Sequence, residues 1–240
     1  MIRGLTGSTL KWIAMITMLI DHVAATILVR HMLSNGATME VYTVYEVMRN
    51  IGRVAFPIYC FLLVEGFLYT KNICRYIGRM CFFVVVAELP FNMAFAGKVF
   101  YLGYQSVMLT LLIGLLTMLV CRKWEEKWPE NELLQLAGIV VCTAAGMALA
   151  YVLKTDYAHK GILSIMAFYC FRKEKNVKLL AGALSFWWEP WALLAFPLLW
   201  LYNGQRGMKM KYFFYAFYPL HLLVLCLVAM ILGNQFIPVI

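Results

Sequence analysis

From Leu10 to Val29 the chain runs for twenty residues that are apolar apart from two threonines and three ionisable side chains, Lys11, Asp21 and His22. A helix of that length crosses a hydrocarbon core about 30 Å thick. Asp21 and His22 fall near its middle, where ionisable groups are costly and mark a site or pathway. At 100° per residue, Lys11, Met15, Met18 and His22 share one face. Similar runs recur along the sequence, which is 63% apolar and 14% charged. A soluble domain runs nearer half apolar and a quarter charged. Long uninterrupted runs demand helices rather than a barrel, because a helix satisfies its own backbone in lipid. The expectation is one all-α, polytopic transmembrane bundle over residues 1–240, with about nine membrane segments, some short or re-entrant. The first run lacks a small-residue cleavage site and carries Asp21 and His22, so it reads as a retained helix rather than a signal peptide.

In chain order, Arg30 to Asn50 reads as a polar connection whose second half, Met39 to Asn50, fits the membrane surface. The next spans are Arg53 to Tyr69 and one ending at Glu88-Leu89-Pro90-Phe91-Asn92, where the proline should loosen the helix. Tyr104 to Cys121, Leu133 to Leu153, the short Gly161 to Phe171 and Tyr212 to Leu232 complete the set. Arg122 to Lys127 and Arg172 to Lys178 read as solvated basic loops. Leu179 to Leu201 is one crossing or two short halves turning at Trp188-Glu189-Pro190. The placement of the basic residues behind the net charge of +9 favours two halves, either short spans or a re-entrant pair, since such residues gather in cytoplasmic loops. With two halves, the clusters Lys71 to Arg79, Arg122 to Lys127, Arg172 to Lys178 and Arg206 to Lys211 fall on one side. The other side keeps Arg30, Arg49, Lys98, Lys154 and Lys160. This puts the N-terminus in the cytoplasm, and it accounts for the positive charge without a nucleic-acid partner.

The polar residues at membrane depth are few: Asp21, His22, Glu65, Glu88 and His221. In the last span Lys211, Phe214, Tyr218 and His221 share a face, so both the first and last helices pair an end lysine with a mid-depth histidine. Each residue also has a structural reading. Asp21 and the histidines can be interhelical hydrogen-bonding groups. Glu65 and Glu88 can be ion-paired with Arg53, Arg75 or Arg79. Lys11 can be a snorkelling end residue, and Trp187-Trp188-Glu189-Pro190 an interface belt. The seven cysteines form no C-x-x-C pair and read as small core residues. No H-E-x-x-H, Walker loop, G-x-S-x-G or dinucleotide fingerprint occurs, and no metal is expected.

Six segments carry a resemblance in order along nearly the whole chain. They are Ile20-Asp21-His22, Gly52-Arg53-Val54-Ala55-Phe56-Pro57, Leu63-Val64-Glu65-Gly66-Phe67, Glu88-Leu89-Pro90-Phe91, Tyr202-Asn203-Gly204-Gln205-Arg206-Gly207 and Phe217-Tyr218-Pro219-Leu220-His221-Leu222. Together they resemble the TraX family, whose namesake acetylates the N-terminus of pilin. The resemblance implies a multi-spanning acyltransferase of the bacterial cytoplasmic membrane that uses acetyl-CoA. A more distant likeness is to the membrane acyltransferase-3 group, which modifies sugars. That group carries an arginine ten residues before a first-helix histidine, where this chain has Lys11 before His22. Its paired arginines are similar to Arg75 and Arg79, here one residue wider apart.

The implied reaction moves an acetyl group from cytoplasmic acetyl-CoA to an amine or hydroxyl of an acceptor peptide or glycan. His22 is the expected base or transient acyl carrier. His221 and Tyr218 are candidates for proton relay or oxyanion contact, and Asp21 for orienting a neighbouring group. Glu65 and Glu88 complete the catalytic candidates. Lys11, Arg75, Arg79, Asn203, Arg206 and Lys211 would hold the CoA phosphates. The rise from Lys11 to His22, roughly 16 Å, is about the reach of an extended pantetheine arm. A proton-coupled transporter would also explain mid-depth carboxylates and histidines, and would show proton flux without CoA binding. A non-catalytic scaffold would tolerate loss of both histidines. A zinc hydrolase would reveal its metal on analysis of the purified protein.

Overall fold

The computed structural model describes residues 4–232, with Lys211 described in its backbone alone. Among these residues six helices are long and apolar enough to cross a membrane, and shorter apolar helices accompany them. No strand occurs among the described residues. The architecture is the expected all-helical bundle of an integral membrane protein.

The first span is longer than the sequence suggests. Helix α1 (Gly7–Val23) runs into a π-helical turn, Ala24–Leu28, and continues as α2 (Val29–Asn35). Thr6 caps its start, its hydroxyl accepting from the Thr9 amide at 3.2 Å. Arg30 is therefore no loop residue. It is 1% exposed, and its guanidinium donates to the Ala94 carbonyl at 2.5 Å. That carbonyl belongs to the last turn of α5 (Ile73–Phe95), where backbone acceptors lack helical partners. The helix stops only at Gly36, with φ +83°.

Met39 to Asn50 is helical throughout. Helix α3 (Met39–Gly52) is capped by Thr38 and leads after a short break into α4 (Ala55–Tyr69). Helix α5 keeps Pro90 within it. Helix α6 (Val107–Lys127) extends through the Arg122 to Lys127 stretch read as a loop. The Trp124 indole holds that extension by donating to the Leu134 carbonyl at 2.8 Å. Then follow α7 (Glu132–Val152), α8 (Ala158–Cys170) and α9 (Lys175–Ser185). The Leu179 to Leu201 region does divide in two. After α9 comes a separate 3-10 stretch, Pro190–Ala195, joined to α10 (Phe196–Trp200), and the described chain closes with α11 (Lys211–Ile231).

The chain forms two compact units. The first comprises residues 1–59, 85–102 and 186–240, and in it α1 packs on α3 and α11. The second comprises residues 60–84 and 103–185, built round α6, α7, α8 and α9. Its core is aromatic, with Phe61 edge-on to Phe168 at 5.8 Å and Phe67 edge-on to Tyr169 at 5.8 Å.

Candidate functional site

In the first unit the two helical faces anticipated from spacing meet each other. Met15 and Met18 are buried, and the Lys11 ammonium lies 5.1 Å from the Phe214 ring centroid. Further along the same faces, His22 Nδ1 lies 2.6 Å from His221 Nε2. The ring planes differ by 4° and the centroids are 4.9 Å apart. This is the geometry of two coplanar rings sharing one in-plane hydrogen bond. Tyr218 and Phe95 turn their rings edge-on to His22, at 6.0 and 5.6 Å. His221 is buried and His22 half-buried.

The partners of His221 fix who donates to whom. Its Nδ1 lies 2.7 Å from the Phe217 carbonyl one turn back on α11. A carbonyl only accepts, so His221 Nδ1 carries a proton. With both rings neutral, His221 Nε2 then holds a lone pair and accepts from the Nδ1–H of His22. The lone pair of His22 is thereby left on Nε2. The π-helical turn begins two residues after His22, and the Thr26 hydroxyl within it donates to the His22 carbonyl at 2.5 Å. Such turns recur at functional sites, where they set a side chain off the regular helical ladder.

Asp21 faces away from this pair, as expected for a neighbour 100° round the helix. It accepts from Arg49 Nη1 at 2.7 Å, joining α1 to α3. Gly52 lies one turn beyond Arg49. A Cβ there would strike the Asp21 carboxylate, so only glycine lets α3 come this close. Arg53, also on this segment, pairs with Glu189 at 3.3 Å. Glu189 thus anchors the turn read as an interface belt.

At the start of α1, residues 202–208 are strapped to the chain. The Leu5 amide donates to the Leu201 carbonyl at 2.9 Å, and the Asn203 amide donates back to Leu5 at 3.0 Å. The Gly7 and Ser8 amides donate to the Gln205 and Arg206 carbonyls at 2.8 and 3.0 Å. Asn203 Nδ2 reaches the Gly4 carbonyl at 3.3 Å, and Gly207, at φ +72°, packs on Thr6 and Ser8. Arg206 is exposed, and its charge is felt at Lys11. The N-terminal segment and this loop therefore lie at one end of the first unit. Lys211 opens α11, and its side chain lies outside the described residues.

The remaining predicted residues are each described within their own unit. Glu88 is half-buried on α5 in the first unit. Arg75 and Arg79 belong to the second unit, where Arg75 is exposed and Arg79 lies 5.9 Å from the Tyr76 ring centroid. Glu65 also belongs to the second unit. Its partner is Lys178, at 2.7 Å, rather than Arg53, Arg75 or Arg79. Both are buried, at 8% and 7% exposure. Lys178 also sits 4.6 Å from the Phe61 ring centroid, so it is a core residue of α9 and not part of a solvated loop. Among the described residues no group of three or more His, Cys, Asp or Glu side chains could hold a metal ion.

Sequence reasoning missed Arg49 and Lys178. A carboxylate at mid-depth requires a cation. The nearest helix in the chain was the place to look for the partner of Asp21.

Comparisons with known proteins place the chain in a family. A family model described as TraX protein matches residues 6–229. A protein described as "probable fimbrial assembly protein FimC, serogroup H1", from Dichelobacter nodosus, is 30% identical over 251 aligned positions. The alignment covers 93% of this chain and 95% of that protein. No solved structure matches the chain.

Proposed function

Because this chain belongs to the TraX family, we propose that it is a membrane-embedded acetyltransferase. In this reading it moves an acetyl group from acetyl-CoA to an amine or hydroxyl acceptor. The observation that carries the reading is the His22–His221 pair, whose hydrogen bonds leave an imidazole lone pair on a half-buried ring. A neutral imidazole in that state is suited to take a proton from an acceptor.

The acceptor nitrogen or oxygen attacks the thioester carbonyl carbon as its proton passes to His22 Nε2. The tetrahedral intermediate collapses with cleavage of the C–S bond, and the proton on His22 goes to the departing thiolate. His221 commits one nitrogen to Phe217 and the other to His22, so it fixes the ring and tautomer of the base rather than binding the oxyanion. Lys11, near the start of α1, and Arg206, whose carbonyl accepts from the Ser8 amide, offer charges suited to CoA phosphates. Asn203 holds the loop that presents Arg206.

We place the N-terminus in the cytoplasm, on the distribution of basic residues, in the cytoplasmic membrane of a bacterium. The relative's description makes a fimbrial subunit the first acceptor to try, with a surface glycan second. The test is to give labelled acetyl-CoA to membranes with and without the protein and to follow label into protein and glycan by mass spectrometry. Label that requires the protein supports the reading. Equal labelling, or proton flux without CoA binding, refutes it.

A further inference from the structure

The π-helical turn that follows His22 is held on its far side by a buried cation. We propose that Arg30 is a positioning residue for His22: it locks the turn between them, and that turn lays the His22 ring against His221. The consequence for catalysis rests on the acetyltransferase reading above, in which His22 is the base.

His22 and Arg30 are eight residues apart in the sequence, which on a regular α-helix sets them about 80° apart around the axis. The π-helical turn Ala24–Leu28 lies between them, with the Val29 amide donating to the Ala24 carbonyl. Such a turn takes up one extra residue, so it turns the helix back by about 100°. The two side chains then lie nearly on one face, and both meet the end of α5. The Phe95 ring stands edge-on to His22 at 5.6 Å, and the carbonyl of the preceding residue, Ala94, accepts from Arg30 Nη2 at 2.5 Å. The turn itself is pinned at both ends. The Thr26 hydroxyl donates to the His22 carbonyl at 2.5 Å, and Arg30 Nη1 donates to the Thr26 carbonyl at 3.4 Å. Thr26 and Ala94 are 0% exposed and Arg30 is 1% exposed, so no solvent donor can replace these contacts. Relaxed to a regular α-helix, the turn would swing His22 about 100° relative to α2. That would carry its Nδ1 away from His221 Nε2, from which it is now 2.6 Å.

Arg30 touches no reacting atom, so the test reads the ring as well as the rate. Nitrogen NMR of isotope-labelled histidine rings in the purified full-length protein reports the tautomer, with the His22 signal assigned by its loss in His22→Ala. The parent should show neutral His22 protonated on Nδ1, as its bond to His221 requires; a parent without that signal overturns the proposal. Arg30→Met keeps the bulk, removes the buried charge and leaves the Thr26 and Ala94 carbonyls without the guanidinium. It should lose the Nδ1 signal. In membranes given labelled acetyl-CoA it should keep the donor KM, because Lys11 and the loop of Arg206 meet the other end of α1. Its kcat should fall about 10²-fold, the loss that a small misplacement of a reacting group brings. A residue that merely joined helices would lower the melting temperature and leave the ring signal and kcat at parental values, and that result overturns the proposal. Where Arg30→Met does not fold, Thr26→Val serves. It removes the hydroxyl from the His22 carbonyl at similar volume and should lose the same signal; a folded Thr26→Val protein with parental ring signal and kcat also overturns the proposal. The ring signal needs no substrate. A parent that transfers no label therefore refutes the acetyltransferase reading, while the ring signals of the variants still decide for or against the role of Arg30.

Discussion

Substituting Lys178 by Met should be among the most damaging single changes in the second unit. The substitution removes the ammonium that sits 2.7 Å from Glu65 and faces the Phe61 ring. Both members of the pair are more than nine-tenths buried. Breaking such a pair strands a charge, at a cost of about 3–5 kcal/mol, where an exposed pair contributes about 0–1 kcal/mol. Loss of the cation–π contact adds roughly 0.5–2 kcal/mol. Glu65→Gln should be milder than Lys178→Met, because glutamine can still accept from the ammonium. The double change Glu65→Leu with Lys178→Met removes both charges at similar volume and should recover most of the loss. The assay is equilibrium unfolding of the purified proteins in a fixed detergent. A Lys178→Met protein destabilised by less than about 1 kcal/mol would refute the reasoning, as would a double variant no more stable than the single. Any catalytic role for Glu65 would appear as lost transfer in the stable double variant.

Gly52→Ala should push Asp21 away from Arg49 and cost roughly 1–3 kcal/mol, as overpacking does, with a matching drop in melting temperature. Lys11→Gln and Arg206→Gln should each weaken CoA binding by about tenfold, the loss of one charge-assisted contact. Calorimetry on the folded proteins checks this, and unchanged affinity in the double variant would remove the phosphates from this end. Cysteines placed at Gly4 and Asn203 should label from the same side of the membrane, since Leu5 and Tyr202 are bridged. An impermeant reagent on intact cells should reach neither, and labelling from outside would reverse the orientation.

The two histidine-bearing faces were legible because helical spacing is a local property, whereas the contact between them comes from the packing. Met15 and Met18 carry one stripe from Lys11 to His22, and Tyr218 and His221 lie on another. Two apolar faces that each hold a polar group at similar depth bury those groups best against each other. The loops were less legible. Arg30 looks like the end of a span by charge, but no glycine or proline lies between Gly7 and Gly36, and a buried guanidinium can be satisfied by the carbonyls at the end of α5. Arg122 to Lys127 is charged yet built of good helix formers, so α6 simply continues. The pairings Glu65–Lys178 and Arg53–Glu189 join residues 113 and 136 positions apart in the sequence. No local pattern encodes such partners, because tertiary packing selects them.

If His22 is the base, the acetyl-transfer rate of His22→Ala, measured beside its melting temperature, must show it. The substitution removes the ring that carries the Nε2 lone pair and leaves Lys11 and Arg206 in place. The variant should fold near normally, bind acetyl-CoA with parental affinity, and transfer label about 10²- to 10⁴-fold more slowly. A folded His22→Ala protein with near-parental transfer would contradict it. Activity lost only together with the fold would assign His22 to structure instead.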